Sequence, residues 1–251
     1  MVSKFISIIF LSFFSCTLIA QKKYSAEYTP LSINTTFGVQ LPAADLGQRF
    51  GSNMSVGGGV EYITLPKGWI VNADVQFLFG QSVKEDVLAP LRTPEGALLG
   101  DIGTYASVQL RERGLFMGVN AGRLFKFFDN GNRVGGLRLT VGGGFLQHKI
   151  RIQDDTNSAP QVAPPYSAGY DRLTNGFSLS QCIAYQVVSR DKTINFFIGF
   201  DFMEGFTRNR RGFNFDTRQQ DTQKRIDVLY GVRVGWSIPI FTNQNADEIE
   251  Y

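Results

Sequence analysis

The chain has 251 residues, of which 43% are hydrophobic and 13% aromatic, with 22 Phe, 27 Gly and a single His. The formal net charge of +3 is close to neutral and argues against nucleic acid as a partner. One histidine cannot build a His-rich metal site, so we expect neither a metal nor another cofactor. Frequent aromatic residues and glycines are typical of all-β chains.

Residues 1–20 have the features of a secretory signal peptide. Lys4 precedes an almost wholly apolar stretch at 5–14, and polar residues follow the small residue Ala20. The apolar stretch is too short to span a membrane as a helix, so we predict export with cleavage after Ala20. Lipidation of Cys16 is the alternative form of processing.

Alternation of apolar and polar residues is the dominant signal in the rest of the chain. At 226–240 every even position is apolar, while the odd positions include Asp227, Arg233 and Ser237. Because side chains alternate along a strand, one face of this segment is apolar over its full length. This pattern is typical of a strand with lipid outside and a polar lumen inside. The same alternation recurs at 54–62, 69–79, 137–145 and 194–202.

Tight turns alternate with long polar connections, as in outer-membrane barrels. The apolar parity changes between 106–110 and 115–121, and we explain this by a β-bulge near 112–114 within one long strand. The fold class is therefore all-β: a closed antiparallel up-and-down transmembrane β-barrel, with eight strands or, as the alternative, ten. The barrel domain is placed at 21–241 and a short polar tail at 242–251. The predicted strands are 31–40, 52–65, 69–80, 104–127, 134–153, 174–188, 193–207 and 225–241.

Six charged residues fall on the polar faces of these strands. An eight-stranded barrel is just wide enough for side chains to fill its interior, so charges inside it must pair. We expect a structural network of salt bridges in the lumen, with a proton or ion path as the functional alternative. The predicted lumen charges are Glu61, Asp74, Arg138, Asp201, Asp227 and Arg233.

Two of the long connections carry candidate binding residues. The loop at 208–224 combines clustered arginines with two phenylalanines, and arginine binds phosphate and carboxylate groups bidentately. The loop at 154–173 adds tyrosines in a proline-rich segment, a composition common in protein interfaces. We expect these external loops to bind lipopolysaccharide phosphates or an acidic protein partner. The candidates are Arg208, Arg210, Arg211, Phe213, Phe215, Tyr166, Tyr170 and Arg172.

His148 is the residue on which an enzymatic interpretation depends. It lies near the end of a predicted strand, and we expect it to be an exposed residue at the outer rim. A lipid-modifying barrel enzyme would instead need His148 next to Ser, Asp or Glu in space. No serine lies within several residues of it in the sequence. We therefore assign no catalytic residue and keep the rim enzyme as the alternative.

The end of the last strand carries a more specific signal. Arg233, Gly235, Ile238, Ile240 and Phe241 resemble the terminal β-signal of outer-membrane barrels: a polar residue, a glycine, then spaced apolar positions that end in an aromatic. With the alternating strands and the N-terminal segment, this signal resembles the small outer-membrane barrels of the OmpA/OmpX-like and PorT-like kind. The resemblance implies an outer-membrane location and insertion by the barrel-assembly machinery.

These observations favour a non-enzymatic outer-membrane barrel with a side-chain-filled lumen. Its partners would be outer-membrane lipids, lipopolysaccharide and a protein of the cell envelope, and the resemblance to PorT-like barrels implies an accessory role in a secretion or gliding apparatus. The alternatives are the rim-active lipid-modifying enzyme and a secreted soluble all-β domain.

Overall fold

The computed structural model describes residues 31–64, 67–101, 103–130, 133–189 and 195–240. The predicted signal peptide with Cys16, the tail at 242–251 and Phe241 lie outside the described residues. Eight long strands account for most of the described chain: β1 Leu31–Ala43, β2 Asn53–Thr64, β3 Trp69–Gly80, β4 Val108–Asp129, β5 Arg133–Asp154, β6 Thr174–Ser189, β7 Phe196–Asn209 and β8 Lys224–Ile240.

Each strand pairs antiparallel with the next strand in the chain, and β1 pairs with β8 to close the barrel. The closing register runs from Leu31 opposite Ile240 to Ala43 opposite Val228. The prediction of a closed up-and-down antiparallel barrel with eight strands is confirmed, and the ten-stranded alternative is wrong.

The strands alternate strictly between the two faces of the barrel wall. In β3 the side chains of Asn72 and Asp74 are buried inside, whereas Val75 and Phe77 are exposed on the outer surface. Val234 of β8 and Phe200 of β7 also lie outside, with Phe200 71% exposed. The outer wall therefore carries an apolar band around a largely polar interior, the reverse of a water-soluble barrel.

The strand β4 shows where the sequence pattern was misinterpreted. Its register against β3 is unbroken, and its register shift against β5 lies between Lys126 and Phe128. The bulge predicted near 112–114 is therefore wrong. Leu110 lies on the inner face against an apolar cluster, whereas Met117 lies on the outer face. The parity of apolar residues changes because β4 continues beyond the apolar band, where its inner side is apolar and its outer side polar.

The long connections fold together over one end of the barrel and form what we call the external cap, residues 44–52, 81–101, 103–107, 155–173 and 210–223. The helix α1 (Ala44–Arg49), a two-stranded hairpin (Leu98–Leu99 with Tyr105–Ala106) and three 3-10 turns (Ala89–Leu91, Pro160–Val162 and Tyr166–Gly169) belong to it. Its core packs apolar residues of the loops against the inner faces of the strands, among them Leu46, Phe50, Val87, Leu88, Leu98, Phe116, Leu146 and Ile150. Within the described residues, no helix is long and apolar enough to cross a membrane.

The opposite end of the barrel, where the short turns lie, is filled by a smaller apolar cluster. Its members are Ile63, Ile70, Leu124, Val134 and Val188, all buried. The polar part of the interior is thus bounded by apolar side chains at both ends, and this arrangement sets the environment of every charge in the lumen.

Candidate functional site: a charged lumen beneath an external cap

The centre of the lumen holds an arginine between two aspartates. Arg233 of β8 lies 2.9 Å from Asp201 on β7 and 3.4 Å from Asp74 on β3, measured between guanidinium nitrogens and carboxylate oxygens. Asp74 also accepts hydrogen bonds from Gln76 (2.7 Å) and Asn120 (2.8 Å). The arginine joins strands on opposite sides of the barrel, so the group braces the wall from within.

A second ion pair lies nearer the short-turn end. Arg138 Nη1 is 2.5 Å from Glu61 Oε2, and both side chains are essentially inaccessible to solvent. Gln186 bridges the pair, accepting a hydrogen bond from Arg138 and donating one to Glu61. The Arg138 guanidinium also lies over the ring of Phe197, 4.6 Å from its centroid, a favourable cation–π distance.

The third group lies at the cap end, where His148 meets Asp227 with a ring-nitrogen to carboxylate distance of 2.8 Å. Thr207 donates a hydrogen bond to the same carboxylate. The expectation of an exposed rim histidine is wrong: His148 is 1% exposed because its side chain points inward, under the edge-on ring of Phe50. The sequence predicted where His148 lies along its strand. It did not predict that the loops fold over this end of the barrel and cover the histidine.

The structure therefore places all six predicted lumen charges inside the barrel, in three separate groups rather than one network. Each acid has a cationic or histidine partner, as buried charges require. The three groups follow one another along the barrel, but no continuous chain of hydrogen bonds between them is present among the described residues.

The external cap is held together by an ion-pair chain that links four loops. Glu85 accepts hydrogen bonds from Arg49 at 2.7 Å and from Arg172 at 2.8 Å, and Arg172 reaches Asp216 at 2.5 Å. Burial would raise the pKa of Glu85, but the charges and hydrogen bonds of Arg49 and Arg172 outweigh it and hold the pKa below its usual value. Carboxylates accepting such charge-assisted bonds fix the relative positions of the loops.

Two residues expected to bind an external ligand have internal roles instead. Arg172 is only 4% exposed, since its guanidinium is enclosed by the carboxylates of the cap. Tyr170 is 8% exposed, and its ring packs edge-on against Phe215 with 5.5 Å between centroids. The expectation that these two side chains face outward for a partner is therefore corrected.

The remaining loop candidates are more accessible. Arg211 is committed to a bidentate pair with Asp171, at 2.8 and 2.5 Å, and Arg210 binds the side chain of Asn175. Arg208 is exposed on the outer face of β7. Tyr166, Phe213 and Phe215 keep between 42% and 57% of their surface exposed, and the two phenylalanine rings lie 6.3 Å apart.

Sequence reasoning missed the residues that hold the cap together, namely Arg49, Glu85, Asp171 and Asp216. They come from different loops, and no spacing within any one loop marks them as partners. The available signal was their composition: long external loops that contain both arginines and carboxylates can lock onto one another.

No protein-family model matches the chain, and no curated protein is detectably similar in sequence. Among solved structures, the chain is similar to Ail, the attachment invasion locus protein of Yersinia pestis, with 10% identity, 85% of this chain and 100% of Ail covered, and a TM-score of 0.41. Neisserial surface protein A gives 8% identity, 85% and 100% coverage and a TM-score of 0.41. The N-terminal barrel domain of Pseudomonas aeruginosa OprF gives 12% identity, 84% and 100% coverage and a TM-score of 0.35.

At such identities and scores, nothing about ligands or partners transfers from those proteins to this one. The resemblance to small outer-membrane barrels that the sequence suggests is supported by features of the chain itself. Its eight strands form a closed antiparallel ring. Their outer surface is apolar and their interior polar, and by this architecture the chain has the fold of the small outer-membrane β-barrels.

Proposed function

We propose that the protein is an outer-membrane barrel that displays a rigid external cap to a protein partner and does not conduct solutes. The observation that carries the proposal is the contrast between an apolar outer wall and long loops locked into one ordered surface. Export by the signal peptide at 1–20 and insertion by the barrel-assembly machinery are part of the proposal.

The closed interior supports a role at the surface rather than in transport. Large buried side chains, among them Arg138, Phe50 and Phe116, fill the barrel across its width. An eight-stranded barrel leaves room for side chains but not for an aqueous channel. The ion pairs of the lumen are then structural, and the cap is the part of the molecule available for recognition.

The cap has the properties of a preorganised binding surface. Its loops are already fixed by the pairs of Arg49, Arg172 and Arg211 with carboxylates, so little conformational entropy is lost on binding. Phe213 and Phe215 present half-exposed rings on this rigid support. Aromatic side chains are enriched in the buried centres of protein interfaces. The resemblance to PorT-like barrels makes a secretion or gliding complex the first place to look for the partner.

Membrane placement is tested by fractionation. We expect the protein in the outer-membrane fraction, extracted only by detergent, with a heat-dependent shift in gel mobility that closed barrels commonly show. Recovery as a soluble periplasmic protein without detergent would contradict the placement and restore the soluble all-β alternative.

The recognition surface is tested by photo-crosslinking in whole cells, with a photoreactive amino acid at position 213. We expect one dominant protein adduct, lost when Phe215→Ser removes the neighbouring ring while gel mobility still shows a folded barrel. The matched control carries the same probe at Phe200, on the apolar band. An identical adduct from both positions would exclude a specific partner at the cap.

The surroundings of His148 can be compared with what the enzymatic alternative requires. His148 does lie next to an acid, Asp227, but the pair is enclosed beneath the cap, and Nδ1 of His148 has no hydrogen-bond partner among the described residues. The hydroxyl of Thr207 bonds to Asp227 rather than to the histidine. A nucleophile activated by His148 and open to lipid is not part of this arrangement, so we do not favour a rim enzyme.

A further inference from the structure

A cluster of four cations lies on the outer face of β4 and β5, just beyond the apolar band; we call it the basic cluster. On β4 the outward side chains change from Met117 and Leu115 to Arg113 and Arg111, and on β5 they change from Phe145 through Gln147 to Lys149 and Arg151. The β4–β5 register places Arg113 opposite Lys149, and Arg111 opposite Arg151.

Like charges at directly opposed positions of a sheet destabilise the pairing. Arg113 also lies diagonally across the strand pair from Arg151 and two residues from Arg111 on the same outer face, so these like charges repel one another. Arg111 and Arg113 donate hydrogen bonds to the side chain of Gln109 and to a backbone carbonyl, and none of the four cations forms an ion pair with a described residue. Among the described residues, therefore, no carboxylate neutralises the repulsion between these four cations by forming an ion pair with one of them.

A shallow apolar groove lies within the band and below the basic cluster, on β4, β5 and the neighbouring strand β3. The small outward residues Ala73 and Gly143 line its floor, and Met117, Val119 and Phe145 line its sides. The ring of Phe177 lies beside Gly143. Lys149 and Gly143 are six residues apart on β5, which corresponds to roughly 20 Å along a strand. The distance between the basic cluster, at the edge of the band, and the groove within the band is thus one that a single acylated molecule can span.

We propose that this wall binds one phosphorylated, acylated lipid of the outer leaflet, lipopolysaccharide, with its phosphates on the basic cluster and an acyl chain in the groove. Arginine and lysine at the level of the lipid headgroups suit phosphate, and an anion between opposed cations removes their repulsion. The proposal rests on the membrane placement given above, and it concerns the barrel wall rather than the cap.

The test measures binding of bisphosphorylated lipid A, and of the same lipid after dephosphorylation, to the purified full barrel in detergent. We expect the double variant Arg113→Gln with Arg151→Gln to bind the phosphorylated lipid about tenfold more weakly. The dephosphorylated lipid should bind wild type and variant equally. The matched control is Arg123→Gln with Arg133→Gln, which removes two outward cations from the other ends of the same strands.

A second pair of variants tests the groove. Ala73→Phe fills it and should weaken lipid A binding several-fold, whereas Val71→Phe, on the same face of β3 but outside the groove, should not.

Without lipid, the basic-cluster double variant should be at least as stable as wild type, because the repulsion between the cations is relieved. If the double variant fails to fold, Arg113→Gln and Arg151→Gln are compared singly.

Equal binding of phosphorylated lipid A by wild type and the basic-cluster variant would overturn the proposal, as would an equal loss in the Arg123/Arg133 control. Displacement of lipid A by equimolar phosphatidylglycerol would overturn the assignment to lipopolysaccharide. A chain that is soluble without detergent would instead refute the membrane placement. A failure of the lipopolysaccharide proposal can therefore be distinguished from a failure of the membrane placement.

Discussion

Two levels of the same barrel interior have opposite chemistry. At the level of the apolar band the inner face carries ion pairs such as Arg138 with Glu61, whereas beneath the cap it carries apolar side chains such as Phe116 and Ile150. The outer face changes in the opposite sense, from Met117 to Arg113. Towards the cap, β4 and β5 therefore carry more apolar side chains inside and charged side chains outside, while the buried pair of His148 with Asp227 keeps part of this inner face polar.

The comparison teaches that a strand can keep perfect backbone register while its hydrophobic pattern inverts. Where lipid would cover the outside, apolar residues face out. Where water covers the outside, apolar residues face in and build an ordinary protein core. The point of inversion on β4, between Glu112 and Leu115, marks the upper edge of the apolar band.

The largest effect is expected from breaking the polar level. Arg138→Met leaves Glu61 buried without its cation, and loss of one partner of a buried pair costs about 3–5 kcal/mol of stability. Denaturant unfolding of the purified barrel measures this cost. The double variant Arg138→Met with Glu61→Met should lose less than the single one, and a larger loss in the double variant would show that the pair itself does not carry the effect.

A smaller effect is expected on the outer face. Val234→Arg places a charge on the apolar band, where it should destabilise the barrel in lipid bilayers by about 2–4 kcal/mol. Gln220→Arg, at an exposed position of the cap loop 210–223, is the matched control and should change the free energy of unfolding far less. Equal costs at the two positions would contradict the membrane level assigned to the wall.

A substitution in the cap should destabilise the loops without destabilising the strands of the barrel. Glu85→Gln removes the carboxylate shared by Arg49 and Arg172, so the loops should exchange amide hydrogens faster while the strands remain protected. We expect a local loss of about 1 kcal/mol, since a partly exposed site is screened by solvent. Hydrogen–deuterium exchange distinguishes the two regions, and faster exchange throughout β1–β8 would show that cap and barrel unfold together.

The smallest effect is a dependence of cap stability on pH. The pKa of Glu85 is lower in the folded protein than its usual value of 4.5, so its contribution is fully present above pH 4.5 and is lost as the pH falls through the lowered pKa. Cleavage of the loops by pepsin should increase over that acidic window in wild type. The Glu85→Gln variant should show a weaker dependence, and an identical profile would exclude Glu85 as the titrating group.

The sequence predicted the barrel well because its governing signal is local. Alternation at 226–240 or 69–79 specifies a strand and its lipid-facing side without knowledge of any other segment, and the inward charges Asp74, Asp201 and Arg233 follow from the same parity. The pairing of Arg138 with Glu61 rather than with another acid could not be read from parity, because it depends on which strands face each other across the lumen.

The external cap could not be predicted for a related reason. The role of Arg172 depends on Glu85 and Asp216, which lie in two other loops, and the burial of His148 depends on Phe50 folding over it. Long loops carry no periodic signal, so their arginines were assigned to an external ligand when several serve internal carboxylates. The inverted pattern of β4 was likewise assigned to a backbone irregularity, because one sequence does not show where the environment of the wall changes.

The seam between β1 and β8 has a consequence for the order of assembly. Leu31 pairs with Ile240, so the two strands that close the ring lie at opposite ends of the described chain, while every other pairing joins neighbours in sequence. Hairpins can form early because their loop-closure entropy is small, but the seam must wait for the last strand. Until then both edges expose unpaired backbone groups, which lipid cannot satisfy. The final hydrogen-bonded contact is therefore the step at which an open, association-prone sheet becomes a self-contained cylinder.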